Sequence, residues 1–91
     1  MEIKKLSAIP YGNAFVEIVD EHTFYLWSYR TLVCVVENDW LTVNGLYSAT
    51  TRRHIGAFMR EYCNSDYSTA KMMYQDGYSL NIATGEVIEV E

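Results

Sequence analysis

A chain of 91 residues with 49% apolar and 21% charged side chains has the length and composition of a single folded domain, residues 1–91, and is too short to divide into two cores. Its eight Tyr, three Phe and two Trp exclude a disordered chain and supply the large side chains that a small domain needs, because a short chain buries less of its surface. Seven basic against twelve acidic side chains, a net charge of −5, exclude a general nucleic-acid-binding field and direct attention to a protein partner or a cationic surface.

Around Lys4 and Lys5 no apolar stretch reaches signal-peptide length, and nowhere do roughly eighteen apolar residues run together. A cytoplasmic protein without a membrane span is expected. The β-branched alternation of Asn13–Val19 predicts a strand that ends in a turn at Asp20-Glu21. Thr23–Ser28 and Thr31–Val36 are the most strand-like runs, and the second, apolar on both faces, predicts a central strand. Tyr29-Arg30 between them is either a hairpin turn or a kink in one longer strand. Glu37-Asn38-Asp39 reads as a turn and Trp40–Val43 as a short strand, with Asn44-Gly45 supplying the positive φ of a tight turn.

After Tyr47 the period changes. Thr51, Ile55, Phe58, Met59 and Tyr62 form the stripe of a helix packed on a sheet, with Ser48 or Thr50 as its N-cap and Asn64 as a left-handed C-cap. Ser68–Gln75 predicts a shorter second helix with Ala70, Met73 and Tyr74 inward, closed by Asp76-Gly77. Tyr78–Ile82 and Glu86–Val90, joined by Ala83-Thr84-Gly85, predict a terminal hairpin. The order gives an α+β fold: an antiparallel sheet, meander plus C-terminal hairpin, packed by one main helix and a short second one.

Chemistry is sparse. His22 and His54 are the only histidines. Cys63 lies more than two helical turns from His54, about 13 Å along the axis, so those two cannot form a dyad. His22 with Cys34 remains open if their strands pair, although Cys34 reads as a buried thiol and both cysteines are expected reduced. No C-x-x-C, H-x-x-x-H or dense carboxylate loop suggests a metal, no glycine motif suggests a nucleotide enzyme, and no cofactor is expected.

Tyr47–His54 (Y-S-A-T-T-R-R-H) places hydroxyls and cations at a helix start, where the backbone already presents partial positive charge. Arg52 and Arg53 are misplaced there unless an anion or a carboxylate sits nearby. Ser48, Thr50, Thr51, Arg52, Arg53 and His54 are therefore a candidate phosphate or nucleotide site, the alternative being caps plus ion pairs to the acidic strands. A helical wheel sets Arg53, Gly56 and Arg60 opposite the apolar stripe, and Gly56 within a helix suggests that something approaches the backbone, a docking face. Residues 41–65 carry Arg52, Arg53 and Arg60 against Glu61, whereas residues 66–91 carry Lys71 against Asp66, Asp76, Glu86, Glu89 and Glu91.

The runs L-W-S-Y-R-T-L-V at Leu26–Val33 and L-Y-S-A-T-T-R-R-H-I at Leu46–Ile55 resemble a family of small uncharacterised proteins, a domain of unknown function. The likeness rests on Ser28, Tyr29, Thr31, Tyr47, Ser48, Thr50, Thr51 and His54, with Ile55 and Phe58 as core positions, about a third of the chain. It implies a setting in phages and mobile elements of Gram-positive bacteria and no particular activity. By analogy with small acidic phage proteins, the expected function is non-enzymatic: binding a host protein, such as a CRISPR nuclease, and occluding its basic surface. Asp66, Asp76, Glu86 and Glu89, with Arg53 and Arg60, are the candidate partner-binding residues. Direct nucleic-acid binding is not expected, and self-association through strand edges is a third possibility.

Overall fold

The computed structural model describes residues 1–89. Strand-forming runs come first in the chain and are linked by short turns, so each strand pairs with its predecessor. The strands are β1 (Glu2–Lys5), β2 (Ala14–Asp20), β3 (Thr23–Ser28), β4 (Thr31–Glu37), β5 (Trp40–Val43), β6 (Tyr78–Asn81) and β7 (Val87–Glu89). They form one antiparallel sheet in the order β1-β2-β3-β4-β5-β6-β7. β4 is the central strand, as its two-sided apolar character predicts. Helices α1 (Ala49–Tyr62) and α2 (Tyr67–Asp76) interrupt the meander between β5 and β6. The fold is thus α+β, with the expected main helix and shorter second helix.

Cross-strand partners share a face of the sheet. One face carries Val16, Leu26, Cys34 and Val43 in one row and Ile18, Phe24, Val36 and Leu41 in the next. Both helices pack on it: Phe58 and Tyr62 of α1 close on the Phe24 ring, with centroids 6.0 and 5.5 Å away. Ile55, Met59, Ala70 and Met73 complete this core. Val33 is the extra residue of a bulge opposite Leu26-Trp27 and Val19 of one opposite Phe24-Thr23, and such bulges increase the local twist.

Several details differ from the sequence expectation. The amino end forms β1, and Leu6 just beyond it is fully buried. Tyr29-Arg30 is a two-residue hairpin turn with Tyr29 left-handed at φ 57°. Asn38-Asp39 is a second, with φ of 50° and 70°, the geometry whose twist suits adjoining strands. Asn44-Gly45 does not provide the expected positive φ. Tyr47 does, at 53°, and its ring lies over Gly45 so closely that a Cβ there would stand 2.8 Å from Cζ. Tyr74 is exposed rather than inward. Asn64 is left-handed past α1, and Gly77 at φ 71° caps α2. The terminal strand begins at Val87; Val90 and Glu91 lie outside the described residues.

Gly56 is buried, contrary to the outer-face reading. What approaches its backbone is α2 of the same chain: a Cβ at Gly56 would lie 3.5 Å from Tyr67 Cβ and 3.4 Å from Arg60 Nη1. Both are ordinary contacts, so Gly56→Ala gains helix propensity without a clash. We expect it to stabilise the fold by about 0.5–1 kcal/mol in urea denaturation; destabilisation would show that the helices need an even closer approach.

Candidate functional site

Among the described residues, the second face of the sheet has no layer over it. Phe15, Tyr25, Trp27, Leu32, Val35 and Trp40 line it, each half-buried, because alternation in β2 to β5 sends these residues away from the helices. Phe15 and Trp27 stack with centroids 6.4 Å apart. Carboxylates stand among the rings. Trp27 Nε1 donates to Glu17 Oε1 at 2.9 Å, Tyr25 Oη donates to Glu37 Oε1 at 3.5 Å, and Glu37 is the cross-strand partner of Trp40. Partial burial, with Glu37 adding to it, holds the Tyr25 hydroxyl above its ordinary pKa. Both tryptophans of the chain lie on this face.

The two ends of the sheet differ in charge. At one end the β2–β3 and β4–β5 turns meet: Asp39 N donates to the His22 carbonyl at 2.9 Å, and His22 Nδ1 bonds the Asp39 carboxylate at 2.9 Å. Glu21 lies 3.2 Å from His22 Nε2. The hydrogen bond to Asp39, and its charge, raise the His22 pKa in an otherwise acidic corner. At the opposite end the β3–β4 turn meets the start of α1 and the end of β1, which carry Arg30, Arg52, Arg53 and Lys5, with Glu61 accepting from Ser7 in the loop after β1.

A buried polar chain organises the basic end. Ser48 caps α1 by accepting from Thr51 N at 3.2 Å and donates its own hydroxyl to Thr51 Oγ1 at 3.3 Å. Thr51 Oγ1 and Ser28 Oγ share a hydrogen bond at 3.0 Å, and Ser28 Oγ and His54 Nδ1 share another at 2.7 Å. Ser28, Thr51 and His54 are 1%, 5% and 3% exposed. Burial, with the Arg53 charge second, holds the His54 pKa below its ordinary value. Ser28 and His54 have the spacing of a nucleophile and its base, but a serine so enclosed cannot meet a substrate.

The predicted site residues therefore separate. Ser48, Thr51 and His54 come together with Ser28 as structure, while Thr50 and Arg53 line a cleft beside them. Arg52, Arg53 and Arg60 are exposed, and among the described residues none of them forms an ion pair, so the acidic strands do not neutralise them. Asp66 caps α2, accepting from Thr69 N at 3.1 Å. Asp66, Asp76, Glu86 and Glu89 are all exposed, yet Glu86 and Glu89 project to opposite faces at β7, so the four do not make one patch. Cys34 pairs across the sheet with Leu26, well along β3 from the His22 turn, which excludes that dyad. Both thiols are free and buried; burial pushes Cys34 up strongly and Cys63 to about 12. Among the described residues no three His, Cys, Asp or Glu side chains converge for a metal, and no helix is long and apolar enough to cross a membrane.

His54 makes stability depend on pH in a defined sense. A histidine whose folded pKa lies below the unfolded value of about 6.5 contributes stability above that value, and loses it as pH falls through the folded pKa. His22, with its raised pKa, acts in the opposite sense in both proteins, so the expected signature in thermal unfolding is a difference: below about pH 6.5 the melting temperature falls relative to that of His54→Gln. Identical profiles would remove His54 as the cause.

Comparison with known families matches residues 1–76 to a family of unknown function, DUF8033. The matched span runs from β1 to the end of α2, beyond the two segments that carry the resemblance, and stops before the β6–β7 hairpin that bears Glu86 and Glu89. No curated protein and no solved structure matches the chain. With both helices, the polar chain and most of the open sheet face inside the match, the protein belongs to the DUF8033 family of unknown function.

Proposed function

We propose that this protein is a non-enzymatic binding protein that occludes a basic surface on a protein partner, the manner in which a small acidic phage or mobile-element product would block a host enzyme that handles nucleic acid. The observation that supports this reading is the uncovered aromatic face of the sheet. A soluble domain seldom leaves so many large rings half-exposed on one contiguous surface unless something docks there. Tyr and Trp are the residue types that dominate binding energy, and carboxylates set between them favour arginine and lysine side chains through ion pairing and stacking on the rings.

This places the contact on Tyr25, Trp27, Trp40, Glu17 and Glu37 in place of the dispersed set Asp66, Asp76, Glu86 and Glu89. The acidic β2–β3 and β4–β5 turns border the same face and extend its negative potential, which would steer a cationic partner toward it.

Native mass spectrometry after gentle purification from a Gram-positive host lysate identifies the stoichiometric partner, and binding to it is then measured directly. Glu37→Lys combined with Glu17→Gln should weaken that binding at least 10-fold and flatten its salt dependence, with circular dichroism unchanged. Reversal at Asp76 and Glu89 should change it little. The opposite ranking would move the interface to the hairpin and α2, and a partner held equally by every variant would refute an acidic docking surface.

A further inference from the structure

The open face of the sheet carries opposite charges at its two ends. One cross-strand row crosses its full width, from Ile3 on β1 through Glu17, Tyr25 and Val35 to Ile88 on β7. Ile3 and Ile88 are 65% and 52% exposed, so uncovered apolar side chains continue past the central rings to both edges. Toward the β3–β4 turn the same face carries Lys5, the cross-strand neighbour of Phe15, and Arg30. An open depression of about 570 Å³ there is lined by both cations and by no carboxylate. Toward the opposite turns stands Glu37, with Glu21 and Asp39 just beyond it. Lys5 and Arg30 are exposed and form no ion pair among the described residues.

A face with opposite charges at its ends is complementary to a copy of itself turned around. Two sheets stack about 10 Å apart, and a two-fold axis between them runs either along the strands or across them. An axis along the strands sets like end over like end. An axis across the strands sets Arg30 of each copy over the Glu37 and Asp39 end of the other, brings the acidic turns to the depression beside Arg30, and lays ring on ring between them. The area is sufficient. A sheet roughly 29 Å across, whose longest strands of seven residues span about 23 Å and whose edge strands are shorter, offers on the order of 550 Å² per copy, against the total of about 1,000 Å² that a specific interface must clear. Two chains of net charge −5 repel at long range, but at physiological ionic strength that repulsion is screened beyond about 8 Å, and the opposed ends meet within that distance.

We propose that the protein pairs with a second copy of itself through this face, as a two-fold sandwich whose facing strands run antiparallel, and gives up that pairing when a cationic partner takes the same rings. The competition rests on the reading of this face as the docking surface; the pairing itself rests on the opposed charges and the uncovered rings. An interface of this size holds with a dissociation constant of about micromolar order, so the dilute protein presents its rings and the concentrated protein covers them. Arg30 separates the two occupants, because it meets Glu37 in a second copy and repels a basic partner.

The test is sedimentation velocity of the full chain, without partner, over a dilution series from about 0.1 to about 500 μM, which spans that range. The mass should double within the series. Arg30→Glu and Glu37→Arg should each weaken the pairing 10-fold or more, because like charges then meet at both ends of a symmetric interface. An equimolar mixture of the two variants should restore it as a heterodimer, in which opposite charges again meet at both ends. Both residues are exposed, and circular dichroism should be unchanged in both variants. A chain that stays monomeric throughout, a dimer indifferent to both variants, or a mixture that fails to associate would each overturn the proposal. None of these outcomes bears on the partner reading, which is tested by partner binding in the Glu17 and Glu37 variants.

Discussion

Two short helices cannot cover both faces of a seven-stranded sheet, and most of this molecule's character follows from that constraint. Seven strands spaced about 4.8 Å apart make a sheet roughly 29 Å across. A helix of 14 residues is about 21 Å long and one of 10 residues about 15 Å. Both are set between β5 and β6, so both fall on the same side, and the protein is two layers thick, with a shortest dimension of 20 Å. The face turned to the helices holds the aliphatic core. The other face mixes rings, whose edges and polar atoms tolerate water, with Leu32 and Val35, and sets carboxylates between them.

The same layering explains the buried polar chain. Where α1 begins, its first turn presents amides without intrahelical partners, and the end of β3 lies directly beneath. An aliphatic residue at Ser28 would leave His54 Nδ1 without its partner, at a cost of about 1–3 kcal/mol, while Thr51 would keep its bond to Ser48. The hydroxyl there links the helix cap to the imidazole, joining the sheet to the helix by hydrogen bonds as well as by packing. The segments that carry the family resemblance, around Ser28-Tyr29 and Tyr47–His54, are the two sides of this junction. Far apart in sequence, they meet because the β3–β4 turn and the start of α1 occupy the same end of the sheet.

The sheet and the helices were largely legible in the chain because hydrophobic period and turn chemistry are local signals. Thr23–Ser28, Trp40–Val43 and the stripe from Thr51 to Tyr62 each pattern themselves without reference to distant residues. The amino-terminal strand was not legible, since Glu2–Lys5 is exposed at every position and is held by backbone pairing to β2 alone. Gly56 misled for a related reason: a wheel separates apolar from charged positions but does not show that α2 folds back over the charged side. Tyr47 in the left-handed region has no local signature, because its ring packs on Gly45 and only the tertiary turn imposes it. The candidate sites were the least legible. The signal for the open face was present in the alternation of Phe15, Tyr25, Trp27 and Trp40 with core residues, but aromatics in a small domain read first as core. The basic end emerges only when the end of β1, the β3–β4 turn and the start of α1 are brought together.

The two tryptophans make the docking face directly observable, since both lie on it and each stands beside a carboxylate. Quenching of their emission by caesium and by iodide, in the free protein and in complex with the partner, is the most direct test. The free protein should be quenched more efficiently by the cation than by the anion, because Glu17 and Glu37 attract one and repel the other, and the partner should abolish both. Tryptophans that remain equally accessible in the complex would contradict the open sheet face as the surface through which this protein acts.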